Sequence, residues 1–147
     1  MMDQQHLRDR AEITDLVYRL GTALDDGRMD DLRDLIAEDA VVRTPGGRSV
    51  GREAMIAQAA RNHPDDQRFQ HVTTNVLVTP DGDRARARAN LTVHVTVPTD
   101  PGTPAPPPRA TLGEVYAFDL VRTAGGWRFA RIETELRWVE GVLPVPA

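Results

Sequence analysis

Residues 84–97 read Arg84-Ala85-Arg86-Ala87-Arg88-Ala89-Asn90-Leu91-Thr92-Val93-His94-Val95-Thr96-Val97. The first half alternates arginine with alanine at a clean period of two, the spacing of a β-strand. The second half is a β-branched run, which also suits a strand. A similar run precedes it, His71-Val72-Thr73-Thr74-Asn75-Val76-Leu77-Val78, inside a strand expected at about 69–79 that turns at Pro80-Asp81-Gly82-Asp83. After it, Pro98 to Arg109 holds six of the chain's 11 prolines and reads as a long hairpin tip. A third long strand is expected at about 110–122, turning at Ala124-Gly125-Gly126, and a fourth at about 127–139. The tail, Leu143 to Ala147, is expected to be extended.

The N-terminal half has a different rhythm. Leu7, Ile13, Leu16, Val17, Leu20 and Leu24 fall on or near one stripe at helical spacing, predicting a helix over about 5–26 with Gly27 as its stop. A second helix is expected from about Met29 to Ala37, with Leu32, Leu35 and Ile36 as its apolar side and Asp30 and Asp31 at its positive end. Ala40 to Thr44 reads as a short strand ended by Pro45-Gly46-Gly47, with Arg48 to Val50 pairing back. A third helix is expected over Gly51 to Ala60, then a polar loop, Asn62-His63-Pro64-Asp65-Asp66. Helix comes first and strand last, the order of an α+β domain with a mainly antiparallel sheet over its helices.

At 147 residues the chain fits one domain, 1–147. The net charge of −4 is spread along the chain, which argues against nucleic acid as a partner. There is no cysteine, so thiolate nucleophiles, thiolate metal sites and disulfides are excluded. All 18 basic residues are arginine, which excludes a lysine Schiff base and a lysine phosphate loop. No apolar run approaches the roughly 20 residues that span a bilayer. The polar N-terminus lacks a secretory signal, so the cytoplasm is the expected location and no membrane partner is expected. No glycine-rich phosphate loop follows a strand, so no nucleotide is expected.

The layout resembles the nuclear-transport-factor-2-like fold, and more closely its SnoaL-like (polyketide-cyclase-like) and scytalone-dehydratase-like members. Tyr18 to Leu32 is similar to that group's opening motif, and Gly51-Arg52-Glu53-Ala54-Met55 to its third-helix start. Gln70 to Asn75 is similar to its histidine-bearing strand. Gly126-Trp127-Arg128-Phe129 and Leu136-Arg137-Trp138 are similar to its last strand and exit. An aromatic common in the group near the end of the second helix is absent, and Leu35 to Val41 stands there. The resemblance implies a cone-shaped barrel wrapped around three N-terminal helices. It also implies a back-to-back homodimer, a small hydrophobic substrate and no metal or other cofactor.

By that resemblance Asp25, His94 and His71 match an aspartate–histidine pair and a second histidine, and Asp25 with His94 is the expected catalytic dyad. Such a carboxylate would orient the imidazole and raise its pKa, so that it could move a proton near neutral pH. The dehydratase tyrosines have no counterpart. Leu24 stands at one of their positions and Arg43 or Thr44 at another, so a different substrate is implied. Glu114 and Tyr116, two apart on one strand, could supply replacement polar groups. Asn75, which shares a side with His71, and Leu24 and Phe118 complete the expected substrate contacts. His94 shares its parity with Arg84, Arg86 and Arg88, and so faces outward unless a bulge intervenes or the Ala/Val side packs on a second subunit. His63 and His6 carry little weight.

The expected function is cofactor-independent acid–base catalysis, a dehydration, isomerisation or aldol-type cyclisation. The substrate would be a hydrophobic, oxygenated small molecule such as a polyketide, steroid or terpenoid intermediate. The alternatives are a non-catalytic binding or assembly subunit, epoxide opening using Asp25 and Glu114, and, least favoured, an iron site of two histidines and Asp25.

Overall fold

The computed structural model describes residues 3–142; the tail, 143–147, lies outside them. A long helix, α1 (Gln4–Asp25), is capped by Asp3, whose side chain accepts from the His6 N–H. A 3-10 helix follows (Met29–Asp34), then β1 (Ile36–Thr44), β2 (Gly47–Val50) and α2 (Arg52–Asn62). Four long strands complete the chain: β3 (Arg68–Asp81), β4 (Arg84–Thr96), β5 (Ala110–Thr123) and β6 (Gly126–Gly141). They form one curved sheet in the order β2-β1-β6-β5-β4-β3, antiparallel except where β1 runs parallel to β6. The sheet does not close, and the cone is completed by α1 and α2 lying on its concave face.

The alternation in β4 sets the inside of that cone. Ala85, Ala87, Ala89, Leu91, Val93 and Val95 are all buried, and the residues between them are exposed or half-buried. Small alanines admit α1 at one end, where Ile13, Leu16, Val17 and Leu20 are buried in the same cluster. Leu7, expected on that apolar stripe, is 51% exposed.

The expected second helix is shorter than its pattern suggested. Leu35-Ile36-Ala37 enters the sheet, with the Phe129 N–H donating to the Leu35 carbonyl at 2.9 Å and Ile36 paired with Phe129. Burial of the triplet against β6 outweighs the helical spacing of its apolar residues. Two α-helices and a 3-10 turn therefore stand where three helices were expected. The proline segment is a hairpin tip between β4 and β5, tied by Arg109 N–H to the Val95 carbonyl at 2.7 Å.

Near the start of α1, Asp9 anchors the helix to the sheet. Arg122 donates to both Asp9 oxygens at 2.9 Å, Trp127 Nε1 donates at 3.1 Å and Gln5 at 2.9 Å. The guanidinium also lies 4.5 Å above the Trp127 ring. Chiefly through the Arg122 hydrogen bonds, the Asp9 carboxyl is held down at about 2 from an ordinary 3.8. Nearer the other end, Gly21 lets α1 approach β3, since a Cβ there would lie 3.2 Å from the His71 Cβ.

Candidate active site

Asp25 is the last residue of α1 and His71 the fourth of β3, and the close approach at Gly21 brings them together. The His71 backbone N–H is shared between the two Asp25 oxygens, 3.0 Å from each. The His71 ring Nδ1 lies 2.5 Å from Oδ1. The carboxylate accepts a hydrogen bond from this ring nitrogen, so in the neutral imidazole the hydrogen sits on Nδ1 and the lone pair on Nε2. The His71 side chain is 5% exposed and that of Asp25 21%. Asp25 thus stands behind the imidazole as its orienting group.

His71 lines a cavity of about 380 Å³ inside the cone. Leu20 and Leu24 of α1, Met55 of α2 and Leu91, Val93 and Val95 of β4 supply apolar wall. Glu114, Tyr116 and Thr134 face in from β5 and β6, and His63 from the end of α2. Glu114 is 9% exposed, and burial raises its carboxyl above the usual range against the lowering pull of His71. Burial, with Glu114 and then Asp25 nearby, also pushes the Tyr116 phenol up. At neutral pH Tyr116 is therefore a hydrogen-bond donor. The two sit on alternate residues of one strand, as their spacing predicted. The Thr134 hydroxyl also lowers the Glu114 pKa through a side-chain hydrogen bond, and Gln58 Oε1 is buried in the wall with no hydrogen-bond partner among the described residues. Buried polar atoms without a partner are few in folded proteins. No arginine is among the described residues lining the cavity.

His94 does not reach this site. Its neighbours Val93 and Val95 face the cavity, and alternation turns His94 to the outer surface of the sheet. There its Nδ1 lies 3.1 Å from Thr111 Oγ1, and it is paired across the strands with Gln70 and Thr111. Neither escape from the parity argument holds. The register of β4 against β5 runs unbroken from Arg84 to Val95, so no bulge flips the ring. The Ala/Val side is filled by the chain's own core rather than reserved for a second subunit. The expected Asp25–His94 pair is therefore replaced by Asp25–His71.

Two other expected contacts are also displaced. Asn75 is exposed at a register shift between Thr74 and Leu77, with φ 56°, a left-handed conformation that asparagine tolerates. Phe118 is stacked in the core between Tyr116 and Phe129, at centroid distances of 4.7 and 4.9 Å, and does not line the cavity. Leu24 does line it. His63 was underrated, because Asn62 to Asp66 reads as a polar loop. Its spacing held the signal: Met55, Ala59 and His63 follow each other at four-residue steps and all face the cavity. Among the described residues no group of three or more histidine, aspartate or glutamate side chains could hold a metal ion.

An open cone over an apolar cavity, with an oriented histidine in its wall, defines a small-molecule site of a recurrent fold. Residues 5–133 match the SnoaL-like domain family, and the chain belongs to that family. An uncharacterized protein of Mycobacterium tuberculosis is 31% identical over 143 residues, covering 92% of this chain and 90% of that one. Among solved structures, a protein of Novosphingobium aromaticivorans provisionally named a scytalone dehydratase superposes with a TM-score of 0.82 at 19% identity. That match covers 99% of this chain and 95% of the other. A type 3 hexachlorocyclohexane dehydrochlorinase of Novosphingobium barchaimii superposes with a TM-score of 0.79 at 20% identity, covering 99% and 100%. At these identities the structures establish the fold, which is the nuclear-transport-factor-2-like one.

Proposed function

We propose that this protein is a cofactor-independent lyase or isomerase in which His71, oriented by Asp25, removes a proton next to a carbonyl of an apolar small molecule. The observation that carries this reading is the Asp25–His71 pair set into the wall of an apolar cavity. With Nδ1 committed to Asp25, Nε2 is the basic atom and is held at a fixed angle. Charge building on the substrate oxygen would be met by the Tyr116 hydroxyl and, in its protonated form, by the Glu114 carboxyl. The absence of arginine from the described wall favours an uncharged substrate over a carboxylate or phosphate ester. Polyketide, steroid and terpenoid intermediates have this chemistry. Dehydration, isomerisation and aldol-type cyclisation all begin with the same proton transfer. Epoxide opening is less well supported, because the Asp25 oxygens are occupied by His71 and, among the described residues, Glu114 is the one other carboxyl at the wall.

A ketone probe tests the reading without knowledge of the substrate. The protein is expected to accelerate deuterium exchange at the α-carbon of 1-tetralone in D2O over buffer. His71→Ala should lose about a hundredfold or more of that acceleration, and Asp25→Asn should lose most of it. Exchange in His71→Ala as fast as in the wild type would refute the assignment.

We further infer that two copies pair through the outer face of the sheet. One cross-strand row there is Val72, Thr92, Gly113 and Trp138. Gly113 has no side chain and the Trp138 indole lies over it, 49% exposed, while Val72, 40% exposed, stands at the far end of the row. An exposed indole and an exposed valine on one face of a sheet suit contact with a second copy of this chain. Among the described residues, no helix is long and apolar enough to cross a membrane.

A further inference from the structure

The Asp25–His71 pair leaves unexplained a second histidine in the cavity wall, His63. His63 follows Ala59 by one helical turn, and its Nδ1 lies 2.7 Å from the Ala59 carbonyl oxygen. A carbonyl can only accept, so Nδ1 carries a proton. The ring is wedged between Phe69, at a centroid distance of 4.6 Å, and His71, at 5.4 Å. Burial, reinforced by repulsion from His71, pushes its pKa from 6.5 down to about 4. The ring is therefore neutral near pH 7, and Nε2 holds a lone pair and no hydrogen. Among the described residues nothing donates to that lone pair.

Tyr116 can donate, and Glu114 donates when protonated, whereas Gln58 Oε1 and His63 Nε2 can only accept, and of these two acceptors His63 is the one in ring contact with His71. We propose that His63 accepts, at Nε2, the hydrogen bond of a substrate hydroxyl, so that the cavity selects hydroxylated apolar molecules over etherified or halogenated ones of the same shape. This rests on the cavity being the reaction site. A chlorine or a methoxy oxygen offers no hydrogen to Nε2 and would leave it unpaired in an apolar wall, the kind of mismatch that discriminates most strongly. Because Nε2 carries no proton, His63 cannot protonate a departing oxygen. The hydroxyl it holds is one that the reaction retains, and any leaving hydroxyl takes its proton from Tyr116 or Glu114. The contact between the two histidine rings places the retained hydroxyl close to the carbon that faces His71. The substrate class is thus an uncharged hydroxy ketone on an apolar skeleton.

The test uses 2-naphthol and 2-methoxynaphthalene with the full chain, read by nitrogen NMR of the histidine rings and by methyl resonances of Leu91 and Ile132. Both probes are expected to shift the methyls. Only 2-naphthol should move His63 Nε2 from its unprotonated, unbonded position. His63→Phe, which keeps an aromatic ring at the site, should weaken 2-naphthol about tenfold and change 2-methoxynaphthalene by less than about twofold. Methyl shifts by 2-naphthol with an unmoved His63 Nε2 overturn the His63 assignment alone. The wild-type spectrum gives that answer even if the variant misfolds. Failure of both probes to shift the methyls overturns the cavity as an apolar-molecule site, and the proposed function with it.

Discussion

At the scale of single residues the site is governed by which way each side chain points. Asp25, His71, Glu114 and Tyr116 were legible in the sequence as chemistry-bearing groups, the first two through family resemblance and the last two through strand alternation. Which histidine meets Asp25 was legible only in part: parity with Arg84, Arg86 and Arg88 turned His94 outward, while the family resemblance paired it with Asp25. The alanines of β4 decide it: their side is buried, so Val93 and Val95 line the cavity and His94 does not. Glu114 allows a pH test. Burial raises its folded pKa above the ordinary 4.5, so the folded state holds the proton more tightly than the unfolded chain. The stabilisation from that proton is full below the unfolded value and is lost as pH rises through the folded one. Glu114→Gln removes the titration. Thermal melts should show wild type and variant separating above about pH 4.5, with the variant the more stable at pH 8. A constant gap from pH 4 to pH 8 would show that Glu114 is not held protonated by its surroundings.

At the scale of elements, the long strands and α1 were legible because each carries one period over more than ten residues. The segment after α1 was not. Leu35-Ile36-Ala37 is a short apolar triplet, and its neighbour in space, β6, lies some ninety residues away in sequence. The anchorage of α1 was equally hidden, since Asp9 and Arg122 are 113 residues apart. That anchor has its own pH signature, of opposite sign to that of Glu114. The folded pKa of Asp9 is depressed from 3.8 to about 2, so its contribution is present above 3.8 and is lost as pH falls through about 2. At about 1.4 kcal/mol per pKa unit this is worth roughly 2 kcal/mol. Urea unfolding at pH 7 should therefore find Asp9→Asn less stable by about that amount, and the difference should shrink towards pH 2. Equal stability at pH 7 would mean that the pair with Arg122 contributes nothing net.

At the scale of the whole molecule, the order of helix and strand identified the fold, while the open edge of the sheet and the shape of the cavity needed coordinates. The outer face gains a role once His94 is seen to sit on it, next to the row that ends in Trp138. Sedimentation is expected to find a dimer of 16.3 kDa chains, and Trp138→Glu should drive it to monomer with the cavity intact. A wild-type monomer at micromolar concentration would dismiss the pairing and leave the site untouched.

The most direct test of the account sets two histidines against each other. Deuterium exchange of 1-tetralone is measured for the wild type, His71→Ala and His94→Ala under one condition. The account predicts that His94→Ala exchanges within about twofold of the wild type and that His71→Ala falls about a hundredfold or more towards buffer. The reverse order, loss in His94→Ala with His71→Ala unaffected, would contradict it.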